Sequence, residues 1–401
     1  MGNRILYAGA ILNQNWPGGE PIVARGLIDF LRINGHQVYE AYWRSSLSSI
    51  VDIKGALRMF TGRADINKGA LKFYMREIER IKPDVIISQY DYDTSIIEAA
   101  KLTSKRVIVY VHIYWPICPK LSLRRNNIVD CDGFIGKDCY QCTLSDRYVL
   151  NSLTRKLAFR LITNTNHLAG KMSERLTKLR DKNVTIVTLN SAMKDLLVHN
   201  SIDGDTVFTI GNGLDLSEFT VLRSNREKKI CYVGGSSDKK GYRVFLSICE
   251  ELKARIPDIQ ITATGDYTTK VIRDFPYIDF VGRVERSILL KILQEARCLV
   301  FPAVWRDPSP LPPIEAAAVG TPVVGSGIEN LSNVIENGFS GYVLPRGDVI
   351  GFVDRIELLL NDDLVFERMS RNARLNIEKF ANKDYTHREF LELVEKVIHW
   401  K

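Results

Sequence analysis

The sequence predicts an α/β protein with two parallel sheets, one in each half of the chain. Three observations carry this. Short apolar runs alternate with amphipathic segments from end to end, as in parallel strands joined by crossover helices. The runs are apolar at successive positions, as expected of strands covered on both faces. And 401 residues is too long for one core, so two domains are expected.

The first half opens on Arg4 to Ala10, a first buried strand. Pro17-Gly18-Gly19-Glu20 then leads into a helix whose apolar residues are Ile22, Val23, Leu27, Phe30 and Leu31. Glycines in such a loop let backbone approach a phosphate closely. Gly35 stops the helix and the chain enters a second strand through Val38. Residues 46–60 mix Leu47, Ile50, Val51, Leu57, Met59 and Phe60 with Lys54 and Arg58. That pattern suits either a lipid-facing surface helix or a helix packed on the core. Pro83 to Ser88 is the third strand and Arg106 to His112 the fourth. His112 falls at the C-terminal edge of its strand, where open α/β sheets bind ligands.

A loop follows with Cys118, Cys131, Cys139 and Cys142, the last two forming C-x-x-C. Four thiolates could hold one tetrahedral zinc; the alternative is a cluster of thiols or an occasional disulfide. Thr154 to Lys182 reads as a helix with a basic face. Val184 to Leu189, Ser191 to His199 and Thr206 to Ile210 continue as strand, helix and strand. The chain then turns through Gly211-Asn212-Gly213-Leu214-Asp215, and the boundary is placed near residue 222.

The second half restarts the pattern. Lys229 to Val233 is a strand, and Gly234 to Gly241 is a glycine- and lysine-bearing loop before an amphipathic helix. Further strands are Ile259 to Ala263, Ile278 to Val281, Cys298 to Phe301 and Val323 to Gly325. Between the last two lies DPSPLPPIEAAAVG, residues 307–320. Proline is tolerated at the first helical position, so the helix is expected to start near Pro313, with Glu315 in its first turn. Gly320 ends it. A helix N-terminus in such a unit is an anion site. The expected domains are 1–222 and 223–380, with 381–401 a last helix crossing back to the first.

Residues 307–324 resemble the signature of the family 4 retaining glycosyltransferases, E-x-F-G-L-P-x-x-E-A-x-x-x-G-x-P-V-V. The match holds at Leu311-Pro312, Glu315-Ala316, Gly320 and Pro322-Val323-Val324; Asp307 stands for the first Glu and Pro310 for the Gly. Gly18-Gly19, the 234–241 loop, Gly282-Arg283-Val284 and residues 337–343 are similar to further family segments. The resemblance implies the GT-B fold, two Rossmann-like domains facing a cleft. It implies that Glu315 holds the ribose of a nucleotide-sugar donor and Asp307 the transferred sugar. Lys240 meets the phosphates, as do the backbone N–H groups of the proline loop; Ser309, Leu311 and Ile314 are the residues that keep one. Gly18, Gly19, Gly235, Lys239 and Arg283 fall at donor-binding positions. Gly235 takes the place of an Arg, for which Lys239 or Arg243 could compensate. His112 closes over the sugar from the other domain. The acceptor would be a glycan or a lipid-linked glycan, in surface polysaccharide or glycolipid synthesis. Two alternatives share the fold: a nucleotide-sugar 2-epimerase, and a degenerate protein that binds donor without transfer.

Composition bounds the setting. The hydrophobic fraction of 45% and charged fraction of 25% are those of a globular protein. No apolar run is long enough to span a membrane, and the N-terminus reads as a strand, not a signal peptide. Seven cysteines without an export signal suggest a reducing cytoplasm. The net charge of +8 fits attraction to an anionic membrane face; no nucleic-acid-binding motif accompanies it. Arg155, Lys156, Arg160, Lys171, Arg175, Lys178, Arg180 and Lys182 supply much of that excess. No cofactor is expected for catalysis.

Overall fold

The computed structural model describes residues 2–9, 19–43, 67–89, 94–125, 129–145, 164–221, 226–328 and 334–400, with 156, 157, 160 and 331. For residues 19–22 only the backbone is described. The chain forms two compact units, Met1–Asn212 with Thr386–Lys401, and Gly213–Tyr385.

The first unit is built on strands β1 (Arg4–Ala8), β2 (Gln37–Ala41), β3 (Val85–Ser88) and β4 (Val107–Val111). After the short antiparallel hairpin β5 (Arg124–Arg125) and β6 (Val129–Asp130) come β7 (Val184–Thr188) and β8 (Val207–Thr209). The six-stranded sheet runs β2-β1-β3-β4-β7-β8, parallel throughout. Successive side chains of a strand face opposite ways, and both faces are covered. Leu6 and Ala8 join the core with Tyr74 and Ile78 of helix Lys68–Ile81. Ile5 and Tyr7 join the opposite core with Leu27 and Leu31 of helix Gly19–Ile33. Phe390, Leu393, Val394 and Val397 of the last helix, Lys383–His399, complete that second core, so the chain end packs on the first unit.

The second unit comprises β9 (Lys229–Val233), β10 (Gln260–Thr264), β11 (Ile278–Gly282), β12 (Cys298–Phe301), β13 (Val323–Ser326) and β14 (Gly341–Leu344). Their order is β11-β10-β9-β12-β13-β14, again all parallel. The order reverses between β9 and β12. Crevices at such switch points, beyond the C-terminal strand ends, are where open α/β sheets bind ligands.

Two features differ from the sequence reading. The units divide at residue 213, ahead of the expected 222. Leu214 exchanges backbone hydrogen bonds with Ala381 and Lys383, at 2.7 and 3.0 Å, and Phe219 is buried in the second unit's core. Arg374 donates to the carbonyls of Phe219 and Leu216. Leu214 to Phe219 therefore belong to the second unit, and residues 222–225, where the boundary was expected, lie outside the described residues.

Of the cations expected on a basic face over 154–182, Arg160, Arg180 and Lys182 are exposed, Arg155 lies outside the described residues, and two turn inward. In helix Thr165–Leu179, Arg175 and Lys178 are buried. Arg175 donates to the Trp115 carbonyl at 2.6 Å, and Lys178 to Thr94 Oγ1 and Glu174. Lys171 pairs with Glu174, and Arg180 caps the carbonyls of Asn200 and Ser201. The two buried cations hold elements together rather than offer a surface. Residues 46–60 lie outside the described residues. Among the described residues no helix is long and apolar enough to cross a membrane.

Candidate active site

In the second unit, two loops leave the strands flanking the switch point. Gly234–Gly241 follows β9, and Pro302–Pro310 follows β12. They meet at Gly241, whose φ is +74° and whose position leaves no room for a side chain: a Cβ would lie 1.9 Å from the Pro302 carbonyl oxygen. Only glycine satisfies both demands. Val304 N–H donates to the Lys239 carbonyl at 3.0 Å and ties the loops a second time.

This closure brings Lys240 to Asp307. Lys240 Nζ and Asp307 Oδ2 form an ion pair, with the Lys side chain a quarter exposed and the Asp buried. Nζ also lies 5.5 Å from the Phe301 ring centre. Lys239 Nζ sits 5.0 Å from the ring centre of Trp305. Two ammonium groups and one carboxylate thus gather at the crevice, against aromatic faces that favour cations. Gly235 stands where the motif has Arg for a local reason. Its φ is +57°, and a Cβ would be 3.0 Å from Asp266 N. Of the two compensating cations considered, Lys239 is at the crevice, whereas Arg243 is largely exposed and donates to Asp238.

The helix after the proline loop spans Leu311–Ala318, with Pro310 as N-cap. It begins two residues before Pro313, because prolines do no harm throughout a first turn whose N–H groups have no intrahelical partner. Glu315 therefore lies beyond the first turn, a correction to its expected place. Of the first four N–H positions, Pro310, Leu311, Pro312 and Pro313, only Leu311 keeps a donor. Ile314 falls where intrahelical bonding begins, so it leaves the set of available donors. Ser309 lies half-buried just before the cap.

Glu315 is buried beside Arg286, the first residue of helix Arg286–Glu295, with Oε1 to the guanidinium at 3.6 Å. Burial raises its carboxyl pKa; Arg286 opposes the rise and nearby Glu218 adds to it. The same guanidinium lies 3.5 Å from Glu218 and over the Phe219 ring at 5.5 Å, and its Nε is buried without a partner. Arg286 was not foreseen. The run Gly282-Arg283-Val284-Glu285-Arg286 was visible, but nothing in spacing tells which Arg turns inward. Arg283 turns outward, donating to Asp266 at 2.6 Å with both side chains exposed.

In the first unit, His112 directly follows β4 and is buried. Its Nε2 is 2.9 Å from Gln89 Nε2, and its ring stands 4.3 Å from that of Tyr110. Burial pushes its pKa down to about 3, so the imidazole is neutral near pH 7. Which of the two nitrogens donates follows from the imidazole tautomer. Gln89, at the end of β3, was missed: one polar residue after an apolar strand reads as an ordinary edge. Gly19 opens the first helix, and Gly18 lies outside the described residues.

Residues 216–376, which include these loops, match the model of the family "Glycosyl transferases group 1". The second unit is a group 1 glycosyl transferase domain. The whole chain resembles the crystal structure of Anabaena HepE in complex with UDP, with a TM-score of 0.69 over 98% of this chain and 100% of that one, at 10% identity. That likeness shows the GT-B fold expected from the motifs. In sequence, the chain is 28% identical over 202 residues to the glycogen synthase of Mycobacterium tuberculosis, covering 47% of this chain and 49% of that one. It is 25% identical over 221 residues to the Escherichia coli UDP-Gal:alpha-D-GlcNAc-diphosphoundecaprenol alpha-1,3-galactosyltransferase, covering 52% and 57%. The chain thus spans about half the length of these curated relatives. The group 1 domain carries Lys240, Asp307, Glu315 and Arg286 within the matched segment.

Cys118, Cys131, Cys139 and Cys142 line one small cavity in the first unit. Among the described residues, no three His, Cys, Asp or Glu side chains stand close enough to hold a metal ion as placed.

Proposed function

We propose that this protein is a retaining glycosyltransferase that moves a sugar from a nucleotide-sugar donor to a glycan or lipid-linked glycan. The observation that carries the reading is the Lys240–Asp307 pair at the switch point of a group 1 domain, with Glu315 buried beside Arg286. A diphosphate leaving group gains negative charge as the glycosidic bond breaks. Lys240 supplies a positive charge at the crevice without a divalent ion, and the Leu311 N–H adds a helix-end donor. In the free protein Lys240 is held by Asp307; the proposed donor phosphate competes for that ammonium and releases the carboxylate toward the sugar. Glu315 accepts from the ribose hydroxyls. By its likeness to the family, His112 is assigned to the transferred sugar as a neutral imidazole, its Nδ1 clear of the Gln89 contact.

HepE was crystallised with UDP and with UDP-glucose, so UDP-sugars are the first donors to test. The galactosyltransferase relative acts on a lipid diphosphate, which motivates lipid-linked acceptors. The test is a thermal-shift panel of nucleotide sugars, followed by product analysis with acceptor and chelator present. Binding stabilises a folded protein in proportion to ligand excess over Kd. Transfer with retained anomeric configuration is the expected outcome. Epimerised donor without any acceptor would point to a 2-epimerase, and binding without turnover to a non-catalytic protein.

A further inference from the structure

Arg286 takes no part in the steps above, and its position is not that of an ordinary surface cation. It is the first residue of helix Arg286–Glu295, where the helix dipole disfavours a positive charge. Its own helix offers it nothing, so the compensation comes from elsewhere. Glu218, in the turn Leu216–Glu218, lies 3.5 Å from one guanidinium nitrogen, and Glu315 lies 3.6 Å from the same nitrogen. The guanidinium also stands over the Phe219 ring, 5.5 Å from its centre. Two carboxylates on separate segments and one aromatic face therefore fix it.

The spacing to Glu315 is informative. Ion pairs that tie this fold together close to hydrogen-bond length: Glu174 is 2.9 Å from both Lys171 and Lys178. At 3.6 Å the Arg286 guanidinium exerts its charge on Glu315 without taking the lone pairs of the carboxylate, which stay able to accept from hydroxyls. Among the described residues, Arg286 is the one cation within ion-pair distance of Glu315. The Glu315 side chain is 8% exposed, and a carboxylate buried that far without a cation tends to give up its charge. Burial already raises its pKa, and Arg286 opposes the rise. Without Arg286, a proton would occupy one of the oxygens that accept from the ribose.

We infer, taking Glu315 as the ribose residue, that Arg286 is its positioning residue: it holds the carboxylate in place for the donor and so makes the site prefer a ribonucleotide to a deoxyribonucleotide. Arg286 acts through Glu315, whereas the diphosphate falls to Lys240. Glu218 shares the guanidinium but is half exposed, so it steadies Arg286 rather than the nucleotide.

Calorimetric titration of the full chain with three probes tests this: UDP, its analogue with a dideoxyribose sugar, and inorganic pyrophosphate. Wild type should bind UDP about tenfold or more tighter than the dideoxy analogue, the usual worth of a hydrogen bond to a charged group. In Arg286→Met that preference should shrink to about threefold or less, with pyrophosphate affinity unchanged. Arg286→Lys restores the charge without the planar fork and should recover part of the preference. If Arg286→Met does not fold, Arg286→Gln, which keeps a polar head at the same place, is read in the same way. A full preference in Arg286→Met or Arg286→Gln overturns the proposal. So does an equal loss of affinity for all three probes, the mark of a structural residue. No preference in the wild type overturns the ribose role of Glu315 and the positioning role with it, a failure distinct from a variant that behaves as wild type.

Discussion

The two units use one architecture and place different chemistry in it. In the second, the first strand lies mid-sheet and the order reverses between β9 and β12; in the first, it reverses between β1 and β3. The second unit fills its crevice with charge: Lys240 against Asp307, Lys239 on Trp305, and Arg286 shared by Glu315 and Glu218. The first unit places a neutral pair at its strand ends, His112 and Gln89, buried and 2.9 Å apart. The contrast teaches a division of labour. In the proposed function the charged crevice takes the diphosphate and the buried neutral pair the hydroxyls of a sugar. Each variant below strikes one side of it.

The largest effects are expected in the charged crevice. Lys240→Ala and Glu315→Gln should each lower transfer by about 10²-fold or more, the usual cost of removing a charge-stabilising group. Steady-state rates near wild type in both would remove the site assignment. Glu315→Gln carries a second signature. Because burial raises the carboxyl pKa, the ionised form weighs on the folded state at pH 7. The amide relieves that, so its melting temperature should be no lower than wild type although activity falls.

Next comes the neutral pair. His112 has a folded pKa of about 3 against 6.5 unfolded, so the unfolded chain takes up the proton first as pH falls. Its contribution to stability is unaffected above pH 6.5 and is lost progressively between pH 6.5 and 3. His112→Asn should flatten that part of the stability–pH curve. Denaturant melts across the range check this; an identical slope in the variant would mean that His112 titrates normally.

A smaller effect is expected at Asp307. Glu at this position keeps the carboxylate that pairs with Lys240 but lengthens its reach by one methylene. Donor preference among sugars should shift, with nucleoside diphosphate affinity nearly intact, as competition assays would show. The smallest effect concerns membranes. With Arg175 and Lys178 buried, any binding to anionic vesicles should be weak at low salt and absent by about 0.5 M salt. Strong, salt-resistant co-sedimentation would call for an apolar anchor.

Much of the fold was legible because its strands are covered on both faces. A run such as Val107–Val111 is buried at every position, as is Val184–Thr188. His112 and Glu315 were legible as candidates because each sits next to such a strand or a proline-marked helix start. What stayed hidden was pairing across distance. Lys240 and Asp307 are 67 residues apart, and only the closure at Gly241 reveals them as partners. The inward turn of Arg286 and the burial of Arg175 and Lys178 have the same cause: a cation's local pattern is alike whether it ends in solvent or on a buried carbonyl.

The central claim is that the charged crevice of the second unit holds the nucleoside diphosphate. Calorimetric titration of UDP into wild type, Lys240→Ala and His112→Ala tests it most directly. The account predicts that Lys240→Ala loses most of the affinity while His112→Ala binds as wild type does. Unchanged affinity in Lys240→Ala, with loss in His112→Ala, would contradict it.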